Sequence, residues 1–123
     1  MTKPKYRNKF ERECGEALAG LATYEPRKID YVVHKKYLPD FMGMSQKTGF
    51  DILVEAKGYF RVGDTQKYKA IRDSLLTQQE LVFLLYSPTK KIRKGAKMNM
   101  GEWCEKEGLR WFTMEDIADA FTV

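Results

Sequence analysis

Pro39-Asp40 is followed, after 14 intervening residues, by Glu55-Ala56-Lys57. Glu55 and Lys57 are two apart, so on a strand both side chains leave the same face and can converge on one point. A carboxylate from a neighbouring strand, Asp40, completes the set. Asp40 and Glu55 are hard oxygen ligands suited to Mg²⁺, an ion that keeps several waters and takes further ligands from phosphate oxygens. Lys57 beside such an ion can orient attacking water or stabilise charge building on the attacked phosphate. That is the chemistry of phosphodiester hydrolysis. Both patterns are common, and a same-face Glu and Lys on a strand can equally be a surface pair worth about 0–1 kcal/mol. Two details favour chemistry: each motif sits on an extended segment, and the second lies on an apolar-backed strand.

The elements that must position these groups can be read from periodicity. Phe10, Cys14, Leu18 and Leu21 predict a helix over residues 6–21, weakened by Gly15 and Gly20 and therefore dependent on burial elsewhere. Glu11 shares that stripe, so it is the acid of this helix expected to point inward and to add a third carboxylate; the plain alternative, a helix-start acid favouring the macrodipole, fits Glu13 at least as well and does not explain inward placement. Alternation at Ile29, Tyr31 and Val33 predicts a strand, continued in extended style over residues 37–42. Residues 43–49 read as a loop. Ile52, Val54 and Ala56 form one face of the next strand and Leu53, Glu55 and Lys57 the other, with Gly58 ending it. A helix follows to about Leu76, with Tyr68, Ile71 and Leu75 inward and Lys67, Lys69, Arg72 and Asp73 around it. The apolar run 81–86 fits a central strand covered on both faces. A basic loop carrying Lys90, Lys91, Arg93, Lys94 and Lys97 comes next, then a short helix over 101–107, a short strand over 109–112 and a helix over 114–121. The predicted order, α-β-β-β-α-β-α-β-α, is that of an α/β fold: a mixed central sheet flanked by helices.

At 123 residues the chain has room for one modest core, and it reads as a single domain. With 43% hydrophobic and 32% charged residues it is neither a disordered tail nor a fibre. The net charge of +5 is uneven: residues 1–97 hold 20 Lys and Arg against 11 Asp and Glu, residues 98–123 hold 2 against 6. A basic surplus draws polyanions, nucleic acid above all. The basic loop could follow a phosphate backbone, or be an ordinary solvated loop. No stretch reaches the roughly 20 apolar residues of a membrane span, and the start lacks a secretory signal, so a cytosolic protein with no membrane partner is expected. Cys14 and Cys104 are far apart and outside any Cys-x-x-Cys pair, which favours reduced thiols. With one histidine, His34, the chain cannot assemble four zinc ligands.

Several runs together are more specific than the catalytic pattern alone: Tyr37-Leu38-Pro39-Asp40-Phe41, Val54-Glu55-Ala56-Lys57-Gly58, residues 69–72 and 87–94, and above all Gly101-Glu102-Trp103-Cys104-Glu105-Lys106. From Phe10 to Phe112 the sequence resembles phage endonuclease I, a family of Holliday junction resolvases in the PD-(D/E)xK nuclease superfamily. The resemblance implies that Asp40 and Glu55 bind Mg²⁺, with Mn²⁺ able to substitute and the Ala56 carbonyl as a further ligand. It implies that Lys57 assists the attacking water and that Glu11 is the helix-borne acid of the site. It also implies a domain-swapped homodimer, the first helix of one subunit joining Asp40, Glu55 and Lys57 of the other. Two sites at fixed spacing could then cut opposing strands of branched DNA, selected by shape rather than base sequence. Lys67, Arg72, Lys90, Lys91, Arg93, Lys94 and Lys97 are the expected DNA contacts, and a phage protein would work in the host cytoplasm. Residues 42–50 are longer than the family's loop, and the carboxyl-terminal residues are acidic. Two other readings remain open: a nuclease for nicked, mismatched or linear duplex, and a non-catalytic basic nucleic-acid-binding module.

Overall fold

Asn8 opens the first helix, α1 (Lys9–Ala17), its side-chain oxygen accepting the Glu11 amide at 2.8 Å and so satisfying one of the unpaired N–H groups of the first turn. The computed structural model describes residues 5–123, and the chain divides into a unit ending at Lys35 and a second unit, Lys36–Val123. In the first unit α1 is shorter than its periodicity predicts. Asn8 caps its start, and the chain leaves the helix at Leu18, with Gly20 in the left-handed region at φ 80°. None of its residues is buried; Phe10 is 72% exposed and Leu21 83%. The strand predicted around Ile29, Tyr31 and Val33 does not form. Alternating side chains make a strand only where a neighbour supplies the hydrogen-bonded ladder, and residues 22–39 have none.

The second unit is a four-stranded mixed sheet in the order β1 (Phe41–Met44), β2 (Asp51–Lys57), β3 (Gln79–Leu85), β4 (Trp111–Phe112). β1 runs antiparallel to β2, with Phe41 opposite Val54. β2 and β3 are parallel, with Glu55 opposite Phe83, and so are β3 and β4. The mixed α/β architecture is as the sequence predicts, with one strand fewer. β1 continues through Gly43, expected in a loop, because Gly43 and Met44 pair with Ile52 and Asp51 of β2; the Phe121 ring lies against Gly43, where a Cβ would come within 2.9 Å of it.

Parallel neighbours need crossovers, and these are α2 (Asp64–Ser74) and α3 (Met100–Lys106). The second is opened by Asn99 and Glu102, each side chain accepting the other's backbone N–H. Both helices face a core of Leu53, Tyr68, Leu81, Phe83, Leu85, Met100 and Trp103. Ile52, Val54 and Val82 leave the opposite face of the sheet and pack on Ala120. β3 is therefore covered on both faces, as its unbroken apolar run predicts.

The terminal helix is a single turn, α4 (Asp119–Thr122), where residues 114–121 were expected to be helical. Amides of Asp116, Asp119, Ala120 and Phe121 bond to carbonyls three residues back, which makes successive tight turns rather than an α-helix. Both cysteines are free thiols, and burial pushes Cys104 up to about 12. Among the described residues no helix is long and apolar enough to cross a membrane.

Candidate active site

One step beyond the β1–β2 register sets Asp40 opposite Glu55. Opposed residues of an antiparallel pair have Cβ atoms about 4.5–5.5 Å apart, so the two carboxyl groups predicted from separate motifs share one end of the sheet. Asp40 is exposed, and its Oδ2 accepts the Ala56 amide at 2.9 Å, which fixes the carboxylate against β2. Odd-numbered residues of β2 bond toward β3: the Lys57 carbonyl takes the Tyr86 amide at 3.1 Å. Ala56 therefore turns its N–H and its C=O toward the β1 edge, the side that holds Asp40.

The Glu55 side chain enters the core beneath α2, where it is 6% exposed. A buried carboxylate needs hydrogen-bond donors, and two tyrosines supply them. Tyr37 Oη donates to Oε2 at 3.0 Å, and Tyr68 Oη donates to Oε1. The two rings meet edge to face with centroids 6.4 Å apart, and Tyr68 is packed edge to face on Phe83 at 5.2 Å. Burial raises both phenols well above their usual range, and the Glu55 charge and its hydrogen bonds raise them further. Both hydroxyls thus stay protonated and act as donors. Tyr68 was read in the sequence as a core residue of α2, which it is; neither tyrosine carries a local signal that its hydroxyl serves Glu55.

Lys57 lies between two acids. Its Nζ is 3.8 Å from Glu55 Oε1 and 3.6 Å from Asp64 Oδ2, with 19% of the side chain exposed. The Tyr68 ring lies 5.1 Å beneath the same nitrogen. Asp64, which no sequence motif singles out, is buried at the start of α2 and accepts the Arg61 amide at 2.8 Å. The donor set fits a small hard cation: one exposed carboxylate with an oxygen that takes no hydrogen bond among the described residues, one buried carboxylate, and a backbone carbonyl at the same edge. Two acids form it. Among the described residues no three His, Cys, Asp or Glu side chains gather at metal-ligating distance.

Glu11 corrects the expectation of an inward acid on a buried stripe, since α1 buries nothing. Its carboxylate takes the Arg7 guanidinium at 2.7 Å and the Tyr24 hydroxyl at 2.8 Å, and the Arg7 hydrogen bonds, followed by that of Tyr24, hold it below the ordinary carboxylate range.

The basic residues divide into two kinds. Lys67, Lys90, Lys91, Arg93, Lys94 and Lys97 are exposed. Lys67 lies over the Tyr68 ring at 5.3 Å and Lys90 over Tyr59 at 5.5 Å. Their loop is pinned: Ile92 and Met98 pack on the core, the Ile92 amide bonds the Met98 carbonyl at 3.1 Å, and Lys91 Nζ donates to the Lys97 carbonyl at 2.6 Å. Arg72 differs from its expected role. Its guanidinium is taken up by Asp73 at 2.9 Å and by the carbonyl and carboxylate of Glu107 at 2.6 and 3.1 Å, so it ties α2 to the end of α3.

Comparison with known proteins bears on this arrangement. The family model described as phage endonuclease I matches residues 3–117. The chain is 32% identical over 89 residues to Endodeoxyribonuclease 1 of Enterobacteria phage T3, covering 70% of this chain and 55% of that protein. It is 31% identical over 91 residues to Endonuclease I of Escherichia phage T7, covering 72% and 57%. It is also 32% identical over 108 residues to the Holliday junction branch migration complex subunit RuvA of Macrococcus caseolyticus, covering 78% and 55%. The chain thus spans little more than half the length of these relatives. A match over nearly all of its residues, joined to two phage relatives above 30% identity, carries one conclusion: this chain belongs to the phage endonuclease I family.

Proposed function

We propose that the chain is a divalent-metal-dependent DNA endonuclease of the PD-(D/E)xK type that resolves four-way (Holliday) and other branched junctions by phosphodiester hydrolysis. The observation that carries this reading is the meeting of Asp40, Glu55 and Lys57 at one end of β2, with Asp40 tied to the Ala56 amide. The names of the two phage relatives support a DNA endonuclease, and the name of the third match supports a junction as the target. Asp40, Glu55 and the Ala56 carbonyl would hold Mg²⁺, or Mn²⁺ in its place. When bound, the ion supplies Lewis-acid polarisation of the phosphate and a stronger nucleophile from water. Asp40 and Glu55 come to this task already oriented, by an amide and by two phenols. The Lys57 ammonium, fixed by its carboxylate neighbours, donates to oxygen where negative charge grows and has little reorganising to do.

The reading includes a homodimer in which α1 of one subunit joins Asp40, Glu55 and Lys57 of the other and brings Glu11 as a third acid. Its support is the uncovered apolar surface of the first unit: Phe10 and Leu21 on or beside α1, and Ile29, Tyr31 and Val32 at 77, 85 and 81% exposure. Apolar side chains in such number call for cover. Sedimentation at micromolar concentration is expected to give a dimer, and a strictly monomeric species rules the exchange out. An exchanged dimer puts two sites at fixed spacing, the geometry that paired cuts across a branch require. In the host cytoplasm its substrate would be branched phage or host DNA.

A labelled four-way junction incubated with the protein in Mg²⁺ is expected to be cut, and to stay whole in a metal chelator. Nicked, mismatched and linear duplexes should compete poorly. A junction left whole in both Mg²⁺ and Mn²⁺ sinks the nuclease. Equal cutting of linear duplex leaves the nuclease and removes its preference for branches.

A further inference from the structure

Away from the candidate reaction centre, a cleft of about 370 Å³ opens between α2, the basic loop and α3. Thr65 and Lys69 line it from α2, about a quarter of the way around the helix from the Asp64–Tyr68 face that meets Lys57. Arg93 and Lys97 line it from the loop and Lys106 from α3, so four cations from three elements surround one hollow. Among the described residues none of the four has an ion-pair partner. Among the described residues the only carboxylate in the wall is Glu107, and Arg72 already holds it at 3.1 Å. The walls are fixed by the buried Trp103 and by Ile92 and Met98, which anchor the loop, and the turn at its tip is closed by the Ala96 amide on the Arg93 carbonyl at 3.1 Å. Four unpaired ammonium and guanidinium groups held around one hollow repel one another until an anion enters.

We infer that this cleft seats a phosphate of the nucleic-acid backbone, with Lys69 and Lys106 as the contacts that complete it beside Arg93 and Lys97. The inference rests on the nuclease reading for its ligand and adds a place where DNA is held apart from the scissile phosphate. Cations spread over three elements around an open hollow suit a backbone passing through better than a compact free anion. Arg72 enters as a positioning residue: by neutralising Glu107 it leaves the cleft wholly basic. A backbone gripped here and at Lys57 is fixed at two points on either flank of α2, which sets which phosphate lies over Asp40 and Glu55.

The test is junction binding under chelation, measured over a range of salt, for wild type, the double variant Lys69→Gln/Lys106→Gln and the charge-preserving Lys69→Arg/Lys106→Arg. The glutamine pair is expected to bind about 10-fold more weakly at moderate salt, with the slope of log affinity against log salt smaller by about 1 to 2, while the arginine pair keeps wild-type behaviour. Unchanged affinity and slope in a folded glutamine pair overturn the inference. So does a rise in melting temperature with inorganic phosphate that the glutamine pair loses while its junction binding stays normal, because the cleft then serves free phosphate. Cutting by wild type in Mg²⁺ is scored separately. A wild type that binds with the expected slope and never cuts sinks the nuclease reading and leaves the phosphate seat standing.

Discussion

Glu55→Gln is expected to cut a four-way junction roughly a thousandfold more slowly than wild type in Mg²⁺, while binding the junction under chelation about as well. Glutamine keeps the shape of the buried side chain, so the pocket under α2 is not emptied. One amide oxygen still accepts from a tyrosine, and the other hydroxyl can rotate to accept from the amide NH₂. What disappears is the negative charge. The Asp40–Ala56 edge then offers a hard divalent ion one carboxylate where it had two, and Lys57 keeps only Asp64, 3.6 Å away, as a partner. Hydrogen bonds to a charged acceptor are worth about 1.5–3 kcal/mol against about 1 for a neutral one, so the variant should also melt somewhat lower. Binding under chelation separates lost chemistry from lost folding, since a misfolded protein loses both. A folded variant that cuts within about threefold of wild type removes Glu55 from the site, and with it the metal reading.

What could be read in advance follows the range of the signal. β2 was legible because strand parity is local: Leu53, Glu55 and Lys57 share a face whatever the rest of the chain does. The apolar run of β3 and the inward positions of α2 were legible for the same reason. The predicted strand at Ile29, Tyr31 and Val33 failed because a strand also needs a partner, and alternation says nothing of who that is. The terminal helix falls short because the amides of Asp116, Asp119, Ala120 and Phe121 bond three residues back rather than four, so tight turns take the place of α-helical turns, a choice that the apolar spacing of 114–121 does not reveal. At the site, the acids and the lysine came from motif spacing, whereas the groups that hold them are reached only through the fold. Tyr37 stands 18 residues from Glu55 and Tyr68 13, and Arg72 finds Glu107 35 residues on. A lysine or arginine on a helix reads as solvent-facing charge until packing brings an acid to it; Arg72 was so met, while Lys69 was not.

Tyr68→Phe should raise the Mg²⁺ concentration for half-maximal cutting by about 10- to 100-fold and leave the rate at saturating Mg²⁺ close to wild type. Tyr68 is wholly buried and held edge to face against Phe83 and Tyr37, so its hydroxyl cannot swing away when an ion arrives. Nor does it need to, because each carboxylate oxygen carries two lone pairs and can accept from a phenol while it ligates a cation. The hydroxyl therefore serves as a fixed support that holds Glu55 in one rotamer and compensates its burial. Phenylalanine preserves the ring, its contacts with Phe83 and the surface it offers to Lys57, 5.1 Å away, and removes only that support. Glu55 is then left with Tyr37 and a looser frame, the ordering cost moves to the moment of metal binding, and high Mg²⁺ repays it. A titration of rate against Mg²⁺ at fixed junction concentration reads the shift directly. If the variant instead reaches half-maximal rate at lower Mg²⁺ than wild type, Tyr68 competes with the ion for Glu55 Oε1 and is a guard on the site rather than a support. If the curve does not move and the maximal rate falls, the tyrosine acts on the reaction and not on the metal.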